Sequence, residues 1–150
     1  MKANYDALMS NGTWTLVARI EHHRLVGNKW VFRVKSNIDG SVAKYKARLV
    51  AKGFQQIERV NYFETFSPVV KVATVRVVLS LVVMNQWQIR QVDVNNVFLN
   101  GDLIEEVYMS QPEGFIDSKR LDFVCKLHKA LDDLKQAPQA WFDKLRNSLM

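Results

Sequence analysis

At 150 residues, 48% of them hydrophobic, the chain is long enough for one domain with a sizeable core. Its single cysteine, Cys125, excludes an internal disulfide and any multi-cysteine zinc site, and the opening Met1-Lys2-Ala3-Asn4-Tyr5-Asp6 has no apolar secretory core. The net charge of +6 is local: between Lys29 and Gly53 seven basic residues face one acid, Asp39, leaving fourteen of each sign elsewhere, as a polyanion-contacting surface would require.

In chain order, Tyr5 to Met9 reads as the end of a helix stopped by Ser10-Asn11-Gly12, and Trp14 to Val17 as a short strand. His22 and His23 are adjacent, diverge on extended backbone and lack a third ligand nearby, so a solvated loop is expected there rather than a metal site. Residues 29–53 form an expected hairpin, with Asn37-Ile38-Asp39-Gly40 as its turn. On its second run Lys44, Lys46, Arg48 and Lys52 share one parity, while Ala43, Tyr45, Ala47, Leu49 and Ala51 share the other. A period of two makes one face basic and one apolar.

From Thr74 to Gln86, apolar residues at Val75, Val78, Leu79, Val82 and Val83 have helical spacing, and the many valines imply that packing must hold this helix in the core. The apolar run Val72 to Met84, broken by Arg76, is too short to span a bilayer, so an intracellular chain, cytoplasmic or nuclear and without a membrane segment, is expected. Gln88 to Val94 reads as a strand, with Trp87, Ile89 and Val92 in the core. Glu105 and Glu106 read as a solvated turn before a short strand, Val107 to Met109, and Gln111 to Phe115 as a turn-rich connection. Phe123 to Leu127 reads as another strand. Pro138 suits the first residue of a last helix, with Trp141, Leu145 and Leu149 lining one face.

Asp93 ends the apolar strand within Gln91-Val92-Asp93-Val94-Asn95-Asn96-Val97-Phe98-Leu99-Asn100-Gly101-Asp102, where a carboxylate on rigid backbone could grip divalent cations. This stretch resembles the first catalytic motif of reverse transcriptases from copia-type LTR retrotransposons. Collinear segments are similar to the same family: Asn11-Gly12-Thr13-Trp14, Lys29 to Lys35, Tyr45 to Gly53, Phe63 to Lys71, and Leu134-Lys135-Gln136-Ala137-Pro138 with Ala140-Trp141.

The resemblance implies an α/β (α+β) fingers-and-palm fold, an antiparallel sheet with packed helices. The fingers hairpin is expected at about 29–53 and the first palm motif at about 87–109. It further implies an RNA-directed DNA polymerase acting on an RNA or DNA template-primer and deoxynucleoside triphosphates, with Mg²⁺. Asp93 matches the first metal-binding, catalytic carboxylate. Lys46 and Arg48 match the cation pair on the triphosphate, which a guanidinium meets in a bidentate way without losing its charge. Phe98 matches the aromatic gate beneath the sugar. Lys44 and Lys52 of the hairpin, with Lys135 and Gln136 at the turn supporting the templating base, are the expected nucleic-acid contacts.

The chain also departs from the family. Its carboxylates lack the downstream Tyr-x-Asp-Asp partner, which makes the palm incomplete and implies a partial copy, inactive alone, of a larger retroelement polyprotein. Asp132 and Asp133 stand where the family usually has Tyr-Gly, adding bulk and negative charge at the nucleotide pocket. Asn95 replaces a common lysine, Val97 a common alanine and Gln139 a common arginine. A non-catalytic nucleic-acid-binding module, or an inert remnant with apolar edges exposed, is the alternative reading.

Overall fold

The computed structural model describes residues 1–63, 65, 70–91 and 97–150. Its first helix, α1 (Lys2–Ser10), ends as its sequence suggests. Gly12 takes φ +62°, which costs glycine nothing, and the amides of Gly12 and Thr13 bond back to the carbonyls of Met9 and Leu8. The Thr13 hydroxyl also donates to Leu8 at 2.8 Å, and the Asn11 amide donates to the Leu99 carbonyl at 2.8 Å. The Asn-Gly-Thr-Trp segment thereby closes the helix and fastens it to a distant turn.

Strands β1 (Trp14–Ala18), β2 (Leu25–Val26), β3 (Asn28–Ser36), β4 (Val42–Ala51), β5 (Asp102–Met109) and β6 (Phe123–Lys129) divide into two sheets. One has the order β1-β6-β5-β2, and the other is the β3-β4 hairpin. Within the first, β1 and β5 run antiparallel to β6, but β2 pairs with β5 in parallel. The sheet is therefore mixed rather than purely antiparallel. Two short 3₁₀ turns (Gly53–Gln55 and Val97–Asn100) and the helices α2 (Val72–Met84) and α3 (Ala137–Leu149) complete the described elements.

The core gathers Leu8, Trp14, Val107, Met109, Cys125, Leu127, Leu131 and Leu134 between α1, the sheet and the segment entering α3. Apolar burial of this kind supplies about 25 cal/mol per Å² and is the main force holding the layers together. At Gly101 a Cβ would lie 2.8 Å from the Ala140 carbonyl carbon, so glycine permits the close approach of α3 to the start of β5. The hairpin is rooted by backbone bonds from Lys52 to Gly27 (2.8 Å) and from Ala51 to Asp132 (3.0 Å). The Trp30 indole donates to the Glu113 carbonyl at 2.9 Å and packs on Phe115, which stacks on Tyr5.

Several expectations need correction. Helix α2 forms with the expected period, yet Val78 and Leu79 are 52% and 45% exposed, and none of its residues is buried. Apolar residues lie all round it, so its period specifies no buried face, and no described element packs closely on it. Trp87 and Ile89 are likewise exposed rather than core, and residues 88–91 are not in a strand. Val92 and Val94, expected in that strand, lie outside the described residues, as does Asp93.

Glu105 and Glu106 lie within β5, not in a turn before it. The register against β6 is irregular between Asp102 and Val107, and that irregularity disguises the strand's first half. Helix α3 begins one residue before Pro138; Trp141 is half-buried, but Leu145 and Leu149 are exposed. His23 is half-buried with its ring stacked on Tyr108, while His22 is exposed. Among the described residues no helix is long and apolar enough to cross a membrane.

Candidate functional site

The β3-β4 register decides which side chains meet. Val31 faces Arg48, Arg33 faces Lys46 and Lys35 faces Lys44, so Arg33, Lys35, Lys44, Lys46 and Arg48 share one face of the hairpin. On the opposite face Trp30, Phe32, Val34 and Tyr45 follow one another; Trp30 is held by the core, and the other three are exposed towards the tip. Like charges directly across a ladder repel, so the Arg33–Lys46 and Lys35–Lys44 pairs cost stability unless an anion lies over them.

At the root of the basic face lies a cleft of about 290 Å³ lined by Val31, Arg33, Lys46, Arg48, Val50, Phe98, Asp132 and Asp133. Three separate segments build it. The hairpin contributes the cations and the two valines. The 97–100 turn contributes Phe98, which packs against the core. The segment after β6 contributes the aspartates, anchored on either side by buried Leu131 and Leu134.

Asp132 is joined to β4 by a parallel bridge with Val50, which fixes its backbone beside the cations. Its carboxylate lies 3.9 Å from the Arg48 guanidinium, with side chains 28% and 49% exposed. At that separation and exposure the pair contributes only about 0.2–1 kcal/mol. Burial pushes the Asp132 carboxyl above its ordinary range, Arg48 and Lys46 pull it down, and Asp133 raises it further. Asp133 itself holds φ +67°, the left-handed region that glycine enters freely and other residues at a cost. Directly beneath it sits buried Gly53, whose added Cβ would fall 1.8 Å from the Asp133 carbonyl oxygen.

The structure therefore brings together Lys46, Arg48 and Phe98, and adds Arg33, to which the sequence reading gave no role. Counting the alternation across the 37–40 turn would have found its face, because that count puts Arg33 opposite Lys44, and the register shift between Lys35 and Ser36 then carries it along the same face to Lys46. Lys44 lies further out on the same face. Lys52 follows the end of β4, and its aliphatic stem lies against Gly27 instead of entering the cleft. Lys135 donates to the Tyr62 hydroxyl at 3.1 Å and lies over that ring.

Gln136, expected to contact nucleic acid, is 3% exposed. It accepts from the Gln56 amide at 2.9 Å and donates to the Asn61 carbonyl at 3.0 Å, while Gln56 also accepts from the Lys135 backbone. Its amide is thus engaged inside the chain, fastening the residues after the hairpin to the start of α3; that is the physical reason it does not reach a surface ligand. Among the described residues no group of three or more histidine, cysteine, aspartate or glutamate side chains could hold a metal ion.

A larger cavity of about 430 Å³ lies between the start of β5 and α3, lined in part by Phe63, Asp102, Glu105, Gln139 and Lys144. Two of the acids lining it are already paired, Asp102 with Lys144 at 2.8 Å and Asp143 with Arg146 at 3.5 Å. The smaller cleft, with three cations and one long ion pair, is the better anion receptor.

A family described as reverse transcriptase (RNA-dependent DNA polymerase) matches residues 11–150. The Retrovirus-related Pol polyproteins from transposons RE1 and RE2 of Arabidopsis thaliana are 53% and 51% identical over 151 aligned positions, covering 100% of this chain and 10% of each relative. The corresponding polyprotein from transposon TNT 1-94 of Nicotiana tabacum is 45% identical over 144 positions, 96% of this chain and 11% of the relative. The chain thus spans about a tenth of the length of these relatives. No solved structure matches it.

Proposed function

The chain belongs to the reverse transcriptase (RNA-dependent DNA polymerase) family of retrotransposon Pol polyproteins, and on that premise we propose that it forms the fingers hairpin and first half of the palm of the polymerase. The observation carrying this reading is the cleft in which Arg33, Lys46 and Arg48 converge on an apolar wall and face Phe98. Guanidinium and ammonium groups meet phosphate oxygens, with arginine supplying directed, permanently charged donors. Phe98, arriving from another segment, would lie against the sugar. Lys46 and Arg48 would hold the triphosphate, and Arg33, directly across from Lys46, would share its charge.

Lys35 and Lys44 extend the basic face away from the cleft and suit the template-primer backbone. Lys135, held over Tyr62 close to the cleft's acidic segment, would contact the template side. Gln136 acts in this reading by fastening the hairpin's exit to α3, not by touching the strand.

Mg²⁺ would supply charge neutralisation and nucleophile activation in the family reaction. Asp93 would provide one of its carboxylates, but the described residues alone do not assemble a metal site, so no step is assigned through the ion in this chain. The remainder of the polyprotein would supply the other carboxylates.

Primer extension tests this directly. The purified 150-residue chain is expected to extend no primer on poly(rA) with Mg²⁺ or Mn²⁺. Template-dependent incorporation abolished by Asp93→Ala would refute that expectation. The like-charged cross-strand pairs Arg33–Lys46 and Lys35–Lys44 favour a second reading, a nucleic-acid-binding module without catalysis. Fluorescence anisotropy with labelled RNA should show weak, salt-sensitive binding that falls steeply if about three to five phosphates are contacted. Reversing Lys44, Lys46 and Arg48 together should remove it, and unchanged binding would place the contact elsewhere.

A further inference from the structure

The cleft carries its own anion. The Asp132 carboxylate stands 3.9 Å from the Arg48 guanidinium and is held there by the Val50 bridge and the Ala51–Asp132 backbone bond. Its backbone cannot swing away without breaking the pairing that joins this segment to the hairpin. Asp133 adds a second negative group at the same wall. Among the described residues lining the cleft, the three cations are therefore offset by two acids, which leaves them one net positive charge for a ligand, far less than a polyphosphate needs for balance. Arg48 keeps donors to spare, since a guanidinium has five N–H groups and a pair at 3.9 Å is too long for a hydrogen bond.

We infer that Asp132 is the specificity-determining residue of this cleft: its carboxylate occupies the place beside Arg48 that a phosphate would take and discriminates against polyphosphate ligands. The inference rests on the proposed reading of the cleft as a phosphate site and deepens it. Discrimination follows because every added negative charge on the ligand meets the same fixed carboxylate within a few ångströms, where like charges are poorly screened. Asp132 does not itself touch reacting atoms. It acts through Arg48, by neutralising it, and through the space it fills.

Isothermal titration with inorganic tripolyphosphate tests the inference on the whole chain. Asp132→Asn keeps the side chain's shape and removes its charge, and should bind tripolyphosphate about tenfold more tightly, a difference of about 1.4 kcal/mol. Asp133→Asn, which removes the same charge from a residue without a partner in the cleft's ion pair, should gain about threefold or less. In the Asp132→Asn background, Arg48→Ala should abolish the gain, and the folded state of each variant is checked by circular dichroism.

If wild type and Asp132→Asn bind equally and both are weakened by Arg48→Ala, the cleft remains a phosphate site and the inference fails. Equal gains from the two asparagine variants would mean a general charge effect and would also overturn it. If neither protein binds, or if binding ignores Arg48→Ala, the reading of the cleft as a phosphate site fails, and the inference with it.

Discussion

Gly53→Ala is expected to be among the most damaging single-methyl additions in this chain. The new Cβ would lie 1.8 Å from the Asp133 carbonyl oxygen and 3.0 Å from its carbon. Backbone must therefore move by at least about 1.2 Å to restore the 3.0 Å that real Cβ contacts respect. That backbone has little freedom. Asp132 is bonded to Ala51 at 3.0 Å on one side, and on the other Leu134 is buried and the Lys135 amide donates to Gln56 at 2.8 Å.

Overpacking typically costs about 1–3 kcal/mol, and an obstacle made of tethered main chain should fall near the upper end, about 3 kcal/mol. For a chain of this size that corresponds to a fall in Tm of roughly 6–12 °C. Urea and thermal unfolding followed by circular dichroism measure it. Gly40→Ala is the control: φ +84° strains alanine, but nothing lies within 4 Å of its Cβ, so only a conformational cost of about 1–2 kcal/mol is expected. A Gly53→Ala change below about 0.5 kcal/mol would refute the close packing of the hairpin's end against the Asp133 segment.

Burial holds the Asp132 carboxyl above its ordinary value of 3.8, so the folded chain binds that proton more tightly than the unfolded one. Its contribution to stability is therefore most favourable below the unfolded value and declines as pH rises through the raised folded value; urea unfolding across pH should show that decline in wild type and not in Asp132→Asn. Asp102 behaves oppositely: the hydrogen bond from Lys144 lowers its carboxyl, so the modest stability it brings is lost as pH falls through the lowered value. Cys125 is fully buried and its thiol is pushed up to about 12 by that burial, so a thiol reagent at neutral pH should label it only as fast as the chain unfolds, and rapid labelling of the native protein would contradict the core position. Val78→Lys with Leu79→Lys should change stability by no more than about 0.5 kcal/mol and reduce self-association in analytical ultracentrifugation, whereas a loss of several kcal/mol would mean that α2 is packed.

How much of this was legible in the sequence follows from the range of each interaction. The hairpin and its two faces were readable because turn chemistry and a period of two are local properties, and the end of α1 was readable because Gly12 marks it. The period of α2 was equally local, but its burial was not: with apolar residues on every side, periodicity names no inner face. The full length of β5 was hidden by two adjacent glutamates at an irregular register, and the parallel pairing of two-residue β2 has no local signal at all.

At the site, the similarity of Lys46, Arg48 and Phe98 to a known family singled out three residues that the structure gathers in one cleft. It could not show that Asp132 would pair with Arg48, 84 positions earlier, or that Gln136 would be spent on Gln56 and Asn61. Those contacts depend on how distant segments meet, and single-residue properties carry no record of it.

The central claim is that this chain supplies the nucleotide cleft and first catalytic carboxylate of a reverse transcriptase. It is tested most directly by primer extension with a chimaera in which the palm segment of an active relative follows this chain and Asp132→Tyr and Asp133→Gly are introduced. The chimaera should incorporate deoxynucleotides on an RNA template. Asp93→Asn should abolish incorporation, and Phe98→Ala should admit ribonucleotides. Undiminished incorporation by the Asp93→Asn chimaera would contradict the account.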